Sequence, residues 1–118
     1  GLRLCLATSK PEPFARRILA HFALDGYFDL ICGSGLDGSL PAKKDVIAHA
    51  LALGSISPDD AVMVGDRRHD AEGAAACALP AVGVLWGYGS EDELKTAGAA
   101  ALVRTPDELK EILLHGNI

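Results

Sequence analysis

Apolar residues in this chain fall in short runs that alternate with longer amphipathic stretches, and the alternation repeats from one end to the other. The runs near 2–7, 29–33, 61–65, 81–85 and 101–103 are of strand length, whereas residues near 11–24, 43–53, 69–77, 91–97 and 106–114 carry apolar positions at helical spacing. Strands separated by helices in this way predict a parallel sheet covered by helices. Near-continuous apolar runs such as Ala61-Val62-Met63-Val64 suit strands buried on both faces. Helix starts are signalled by Ser9-x-x-Glu12, Ser90-x-x-Glu93 and Thr105-x-x-Glu108, each in capping-box form, and by Pro58 and Pro106, placed where a first helical residue tolerates proline. Residues 34–60 leave room for one helix and its loops but not for an inserted domain. No repeat, low-complexity tract or flexible linker interrupts the pattern, so the 118 residues are expected to form one unit.

Composition narrows the function classes. A chain 49% hydrophobic and 23% charged is an ordinary globular composition with enough apolar surface for a real core. The formal charge of -5 is scattered, and basic residues never run beyond a pair, which argues against a general nucleic-acid binder. Cys5, Cys32 and Cys77 are odd in number and lack metal-ligand spacing, as expected of buried free thiols in a reducing compartment, with the cytoplasm as the default. The longest apolar stretch, 74–87, is broken by Pro80 and too short to span a bilayer, and no signal segment opens the chain. The sequence begins inside the alternating run Leu2-Arg3-Leu4-Cys5-Leu6-Ala7 without an initiator Met, as the carboxyl-terminal part of something longer would.

The polar residues that punctuate the strand ends point to phosphate chemistry. At Ala7-Thr8-Ser9-Lys10-Pro11 a strand gives way to a helix through two hydroxyl residues, and hydroxyls beside helix-start N–H groups suit an anion. Ser9 also belongs to a capping box, so Thr8 is the better candidate of the two. Lys43 and Lys44 open the next helix, where a cation opposes the helix dipole and asks for an anionic partner; solvated lysines are the plainer alternative. Gly65-Asp66-Arg67-Arg68-His69-Asp70 sets two carboxylates four residues apart after a buried strand, at the sheet edge where open α/β folds bind ligands. Oxygen ligands at such an edge suit Mg²⁺, with Asp66 the first candidate ligand; for Asp70 an exposed first-turn acid is an alternative, and His69 is not assigned as a ligand. Trp86 and Tyr88 follow the fourth strand, where aromatic residues more often pack or anchor than bind.

Taken in order, Thr8, Lys43, Asp66 and Asp70 resemble the later motifs of the haloacid dehalogenase-like hydrolase superfamily: a strand-end Thr or Ser, a Lys, and Gly-Asp-x-x-x-Asp. Gly33-Ser34-Gly35-Leu36-Asp37-Gly38 and Gly83-Val84-Leu85-Trp86-Gly87-Tyr88-Gly89-Ser90 are similar to its phosphoglycolate phosphatase-like branch, in particular to bacterial 5′-nucleotidase-like members. The resemblance covers essentially the whole chain. It implies a Rossmann-like, doubly wound parallel sheet with helices on both faces, and a Mg²⁺-dependent phosphomonoester hydrolase acting through an aspartyl-phosphate on a small phosphorylated metabolite. By this resemblance Asp66 holds Mg²⁺ and Asp70 ligates it through water or orients Lys43. Lys43 neutralises developing charge, and Thr8 with the Ser9 backbone binds phosphate oxygens.

One departure matters. The family's nucleophile motif, Asp-x-Asp at the end of the first strand, occurs nowhere in these 118 residues. The resemblance places that strand at the centre of the sheet, between the strands near 2–7 and 61–65, with the substrate-selecting helical cap inserted just after it. The chain is therefore expected to be the carboxyl-terminal part of the core domain, inactive by itself, with edges covered by the missing amino-terminal segment or by self-association. The alternative from another class is a noncatalytic α/β binding or regulatory domain, receiver-like or flavodoxin-like. A receiver would carry clustered acids near its first strand, and Leu2 to Ala7 has none.

Overall fold

The computed structural model describes residues 2–40 and 42–115. The chain divides into two compact units, Gly1–Ile56 and Ser57–Ile118. The expected single unit becomes two because each part closes over a core of its own, one around Cys32, Val46 and Ala50 and the other around Val82, Val84 and Val103.

In the first unit, β1 (Cys5–Pro11) leads into α1 (Glu12–His21), and β2 (Leu30–Ser34) into α2 (Lys43–Leu53). The two strands are parallel, with Cys5, Leu6 and Ala7 opposite Leu30, Ile31 and Cys32. Side chains alternate across β2. Cys32 packs with Val46 and Ala50 of α2, while the next residue, Gly33, abuts the start of α1, where a Cβ would lie 2.8 Å from the Glu12 nitrogen. Helices thus cover both faces.

In the second unit, β3 (Met63–Gly65), α3 (Arg68–Ala76), β4 (Ala81–Val84), α4 (Glu91–Thr96), β5 (Ala101–Val103) and α5 (Pro106–His115) follow in turn. The strands are parallel in the order β3-β4-β5, and every residue of the central β4 is buried. Leu109 and Ile112 of α5 pack against the cluster of Val82, Val84 and Val103. On the other side of β4, Gly83 makes room for Leu94 of α4, which is 1% exposed; burying a leucine this fully is worth about 2 kcal/mol. Ala71, Gly73 and Ala74 are buried along α3, so small side chains bring that helix close to β3 and β4.

Within the described residues, β1 pairs along one edge only, with β2, and β3 along one edge only, with β4. The other edge of each of these two strands has no ladder partner among the described residues. The described chain is therefore an α/β domain in part, with parallel sheets and helices on both faces. No helix of the described residues is long and apolar enough to cross a membrane.

Two elements differ most from the sequence pattern. The first strand runs over Cys5–Pro11 instead of 2–7, because Leu4 leaves the ladder: its N–H goes to the Asp29 carboxylate at 2.8 Å and its carbonyl accepts from the Asp29 N–H at 2.7 Å. α1 stops at His21 instead of reaching 24, since Ala23 takes a left-handed φ of 57°. Ser55 and Ala78 do the same just after α2 and α3, at φ of 53° and 62°. None of the three left-handed residues is a glycine, although Gly54 stands as the C-cap of α2.

Candidate active site

The candidate residues fall in both units. In the first, the carboxyl end of β1 is irregular: from Ala7 to Pro11 the strand advances four residues while its partner β2 advances two, from Cys32 to Ser34. Thr8, Ser9 and Lys10 make up this bulge, a device that re-aims side chains at a strand end. They are strand, not helix start. α1 begins only at Glu12, its N-cap is Pro11 with no side-chain bond, and Glu12 pairs with Arg16 at 3.1 Å, so the capping box expected at Ser9 does not form. Ser9 instead contributes its carbonyl, which accepts from the buried Ser34 hydroxyl at 2.9 Å. The Thr8 hydroxyl accepts from the Lys10 N–H at 3.2 Å, and its own hydrogen stays available to donate.

Lys43 is the first residue of α2, whose N-cap Ala42 offers no side-chain bond. Its half-buried ammonium donates to the Ala7 carbonyl at 2.9 Å. Lys43 is thereby brought to the residue that precedes Thr8. Asp45 in the same first turn offsets part of the unfavourable dipole interaction of the two lysines.

In the second unit, β3 ends at Gly65 and the chain turns through Asp66 and Arg67 into α3. Asp70 is the anchor of this turn. It is 8% exposed, and its Oδ2 accepts the N–H groups of Asp66 at 3.1 Å and Arg67 at 3.2 Å. This corrects the alternative of an exposed first-turn acid. Gly65 is required by the same packing, since a Cβ there would run into the Asp70 carboxylate. Asp66 is half-buried; its Oδ2 accepts the Tyr88 N–H at 2.9 Å, and its Oδ1 accepts no hydrogen bond from the described residues. Asp70→Ala is expected to lower unfolding stability by about 2 kcal/mol, because two N–H groups lose one acceptor, whereas Asp70→Asn retains an acceptor and loses about half as much. Denaturant unfolding of the two variants checks this.

A metal of the magnesium kind fits these residues. Mg²⁺ takes one or two protein carboxylates and keeps several waters, and Asp66 offers an uncommitted carboxylate oxygen beside the buried Asp70. Among the described residues no group of three or more His, Cys, Asp and Glu side chains is gathered as a denser metal cage would need. His69 is exposed.

Two contributors escape the sequence pattern. The Tyr88 N–H holds Asp66, although the Tyr88 ring is 93% exposed and Trp86 is 48% exposed. Glu93, expected to complete its own helix's capping box, sends its carboxylate to another segment: Oε2 accepts from Arg67 Nε and from the Arg68 N–H, both at 2.9 Å. Those two bonds, the backbone one foremost, hold its pKa below the usual carboxylate range. Only the Ser90 half of the box forms, with the Ser90 hydroxyl accepting the Glu93 N–H at 3.0 Å. A polar residue bonding across elements leaves no periodic signal.

Comparison with known proteins extends this geometry. A family model for haloacid dehalogenase-like hydrolases matches residues 1–78. The chain is 49% identical over 115 residues to tyrosine-protein kinase PtkA of Mycobacterium tuberculosis, across 96% of this chain and 40% of that protein. It is 45% identical over 95 residues to a 5′-nucleotidase of Pseudomonas aeruginosa, across 80% of this chain and 43% of that protein. The crystal structure of a predicted phosphatase from Clostridium acetobutylicum superposes with a TM-score of 0.94 at 50% identity, across 97% of this chain and 53% of the other. The chain thus spans between two-fifths and about half of the proteins it matches.

Proposed function

The chain belongs to the haloacid dehalogenase-like hydrolase family, and from that premise we propose that it supplies the phosphate-binding and magnesium-binding residues of a phosphomonoester hydrolase. The observation that carries the proposal is Lys43, whose ammonium reaches the bulged strand end bearing Thr8. A cation and a hydroxyl donor at one strand end suit a phosphate dianion better than a neutral ligand.

In this reading Thr8 donates its hydroxyl hydrogen to a phosphate oxygen. Lys43 balances the negative charge that grows on the transferring phosphoryl group. Asp66 holds Mg²⁺ through its uncommitted oxygen, and Asp70 fixes the turn that presents Asp66. The ion, when bound, supplies charge neutralisation and orientation of the phosphate. The acceptor of the phosphoryl group is a carboxylate outside these 118 residues, since the sequence contains no Asp-x-Asp; the ester oxygen takes a proton from a second carboxylic acid of the same outside segment and leaves as an alcohol, and water, giving a proton back to that carboxylate, then releases inorganic phosphate. The segment bearing that carboxylate is also the proposed cover for an open strand edge. The substrate is a small phosphorylated metabolite. Three cysteines, none in a disulfide among the described residues, suit a reducing, cytoplasmic setting.

A second reading is favoured by the 49% identity to PtkA: phosphoryl transfer to a protein tyrosine. One experiment separates the two. The intact protein is expected to hydrolyse a generic aryl phosphate, to stop in EDTA and to resume with Mg²⁺. Transfer from ATP to a tyrosine peptide without aryl phosphate turnover would favour the kinase reading, and inactivity in both assays would favour a noncatalytic domain.

A further inference from the structure

We propose that Glu93 is a positioning residue that sets the Asp66 carboxylate for a divalent cation; the inference rests on the reading of Asp66 as a metal ligand. Three consecutive N–H groups of the β3–α3 turn end on carboxylates. Those of Asp66 and Arg67 go to Asp70, and that of Arg68 goes to Glu93. Asp70 lies within α3 and holds the turn from inside. Glu93 belongs to α4 and holds it from outside, adding a second bond from Arg67 Nε to the same oxygen.

The loop between β4 and α4 ties the two together. It carries the Tyr88 N–H that binds Asp66 Oδ2, and two residues later it becomes the Ser90 cap that accepts the Glu93 N–H. Gly89 lies between them with no room for a side chain: a Cβ would sit 2.9 Å from Glu93 Oε2 and run into the Asp66 carbonyl. The Asp66 side chain is thus bonded to one end of this loop, while the backbone that follows it is bonded to the helix at the other end. Releasing Glu93 frees the turn at Arg68, and the Asp66 carboxylate loses the frame that aims its open oxygen.

This differs from a stabilising surface pair. Arg67 and Arg68 are exposed, so water can replace Glu93 as their partner, and an exposed ion pair contributes little to folding. The effect is expected on metal affinity and not on the melting temperature.

The test is Mn²⁺ binding to the intact protein, read from the electron paramagnetic resonance of the free ion, beside thermal unfolding. Glu93→Ala is expected to weaken binding about tenfold at an unchanged melting temperature, and Glu93→Gln, which keeps an acceptor for the Arg68 N–H, to recover to within about threefold of wild type. Asp66→Asn is the control and is expected to abolish binding. An Ala variant that binds like wild type, or that unfolds, would assign Glu93 a bracing role only, and a Gln variant as weak as Ala would make its charge the cause; each of these overturns the inference. Unaltered binding in Asp66→Asn, or none in wild type, would instead remove the metal reading beneath it.

Discussion

Asp66→Asn is expected to lower Mg²⁺-dependent turnover of the intact protein about a hundredfold while leaving its fold in place. Asp66 presents two oxygens with different duties: Oδ2 accepts the Tyr88 N–H at 2.9 Å, and Oδ1 accepts no hydrogen bond from the described residues. Asparagine has the same shape but only one oxygen. The Tyr88 N–H claims that oxygen, because an amide nitrogen facing it would set two donors against each other. The NH₂ group then takes the place of Oδ1, where it can neither ligate a cation nor carry its charge. Stability is expected to move by less than about 1 kcal/mol, since the Tyr88 bond survives. Initial rates against Mg²⁺ concentration, with thermal unfolding alongside, check both parts. Wild-type turnover with the same Mg²⁺ dependence would refute the assignment of Asp66.

The alternation of strands and helices was legible because parallel strands buried on both faces read as short apolar runs, and the helix over 43–53 and the strand over 101–103 lie where the pattern puts them. The family was legible for a related reason: Thr8, Lys43, Asp66 and Asp70 occur in a fixed order at strand ends and helix starts, and ordered polar punctuation survives where single motifs are weak. The end of β1 was less legible. Thr8, Ser9, Lys10 and Pro11 have the composition of a loop followed by a capped helix, yet they continue the strand as a bulge because Pro11 regains the ladder opposite Ser34. Ser-x-x-Glu describes a local hydrogen-bond option, not a commitment. At Ser9 the option is unused; at Ser90 half of it is used, and the Glu93 carboxylate finds Arg67 and the Arg68 N–H from 26 and 25 residues away. Such long-range partners depend on which elements pack together, and local pattern holds no record of that. The burial of Asp70 has a local cause that residue type alone does not signal. A first-turn acid is solvated by default, and here it is drawn inward by two N–H groups of its own turn.

Lys43→Met is expected to reduce turnover of the intact protein by roughly a hundred- to a thousandfold, the loss typical of removing a preorganised group at a site of developing charge. Methionine keeps most of the length and flexibility of the lysine stem, so the packing of the half-buried chain is largely preserved while the ammonium is removed. Lys43→Arg is expected to restore little, because a planar fork does not reproduce a compact ammonium at the Ala7 carbonyl. Lys43 has a structural role to weigh against the catalytic one, since its ammonium bonds that carbonyl at 2.9 Å and so tethers α2 to β1. The two roles differ in what they leave intact. A tether is worth about 1 kcal/mol and appears as a lower unfolding midpoint with kcat preserved in the folded fraction. Charge stabilisation appears in kcat, with a folded population close to that of wild type. A helix that opens on two lysines without a side-chain cap gives up local stability at its first turn, and an anionic ligand bound there would recover it. Inorganic phosphate is therefore expected to raise the melting temperature of the wild-type protein and to lose that effect in Lys43→Met. Equal phosphate stabilisation of both proteins, together with full turnover in the variant, would leave Lys43 as a tether and move the phosphate contacts elsewhere.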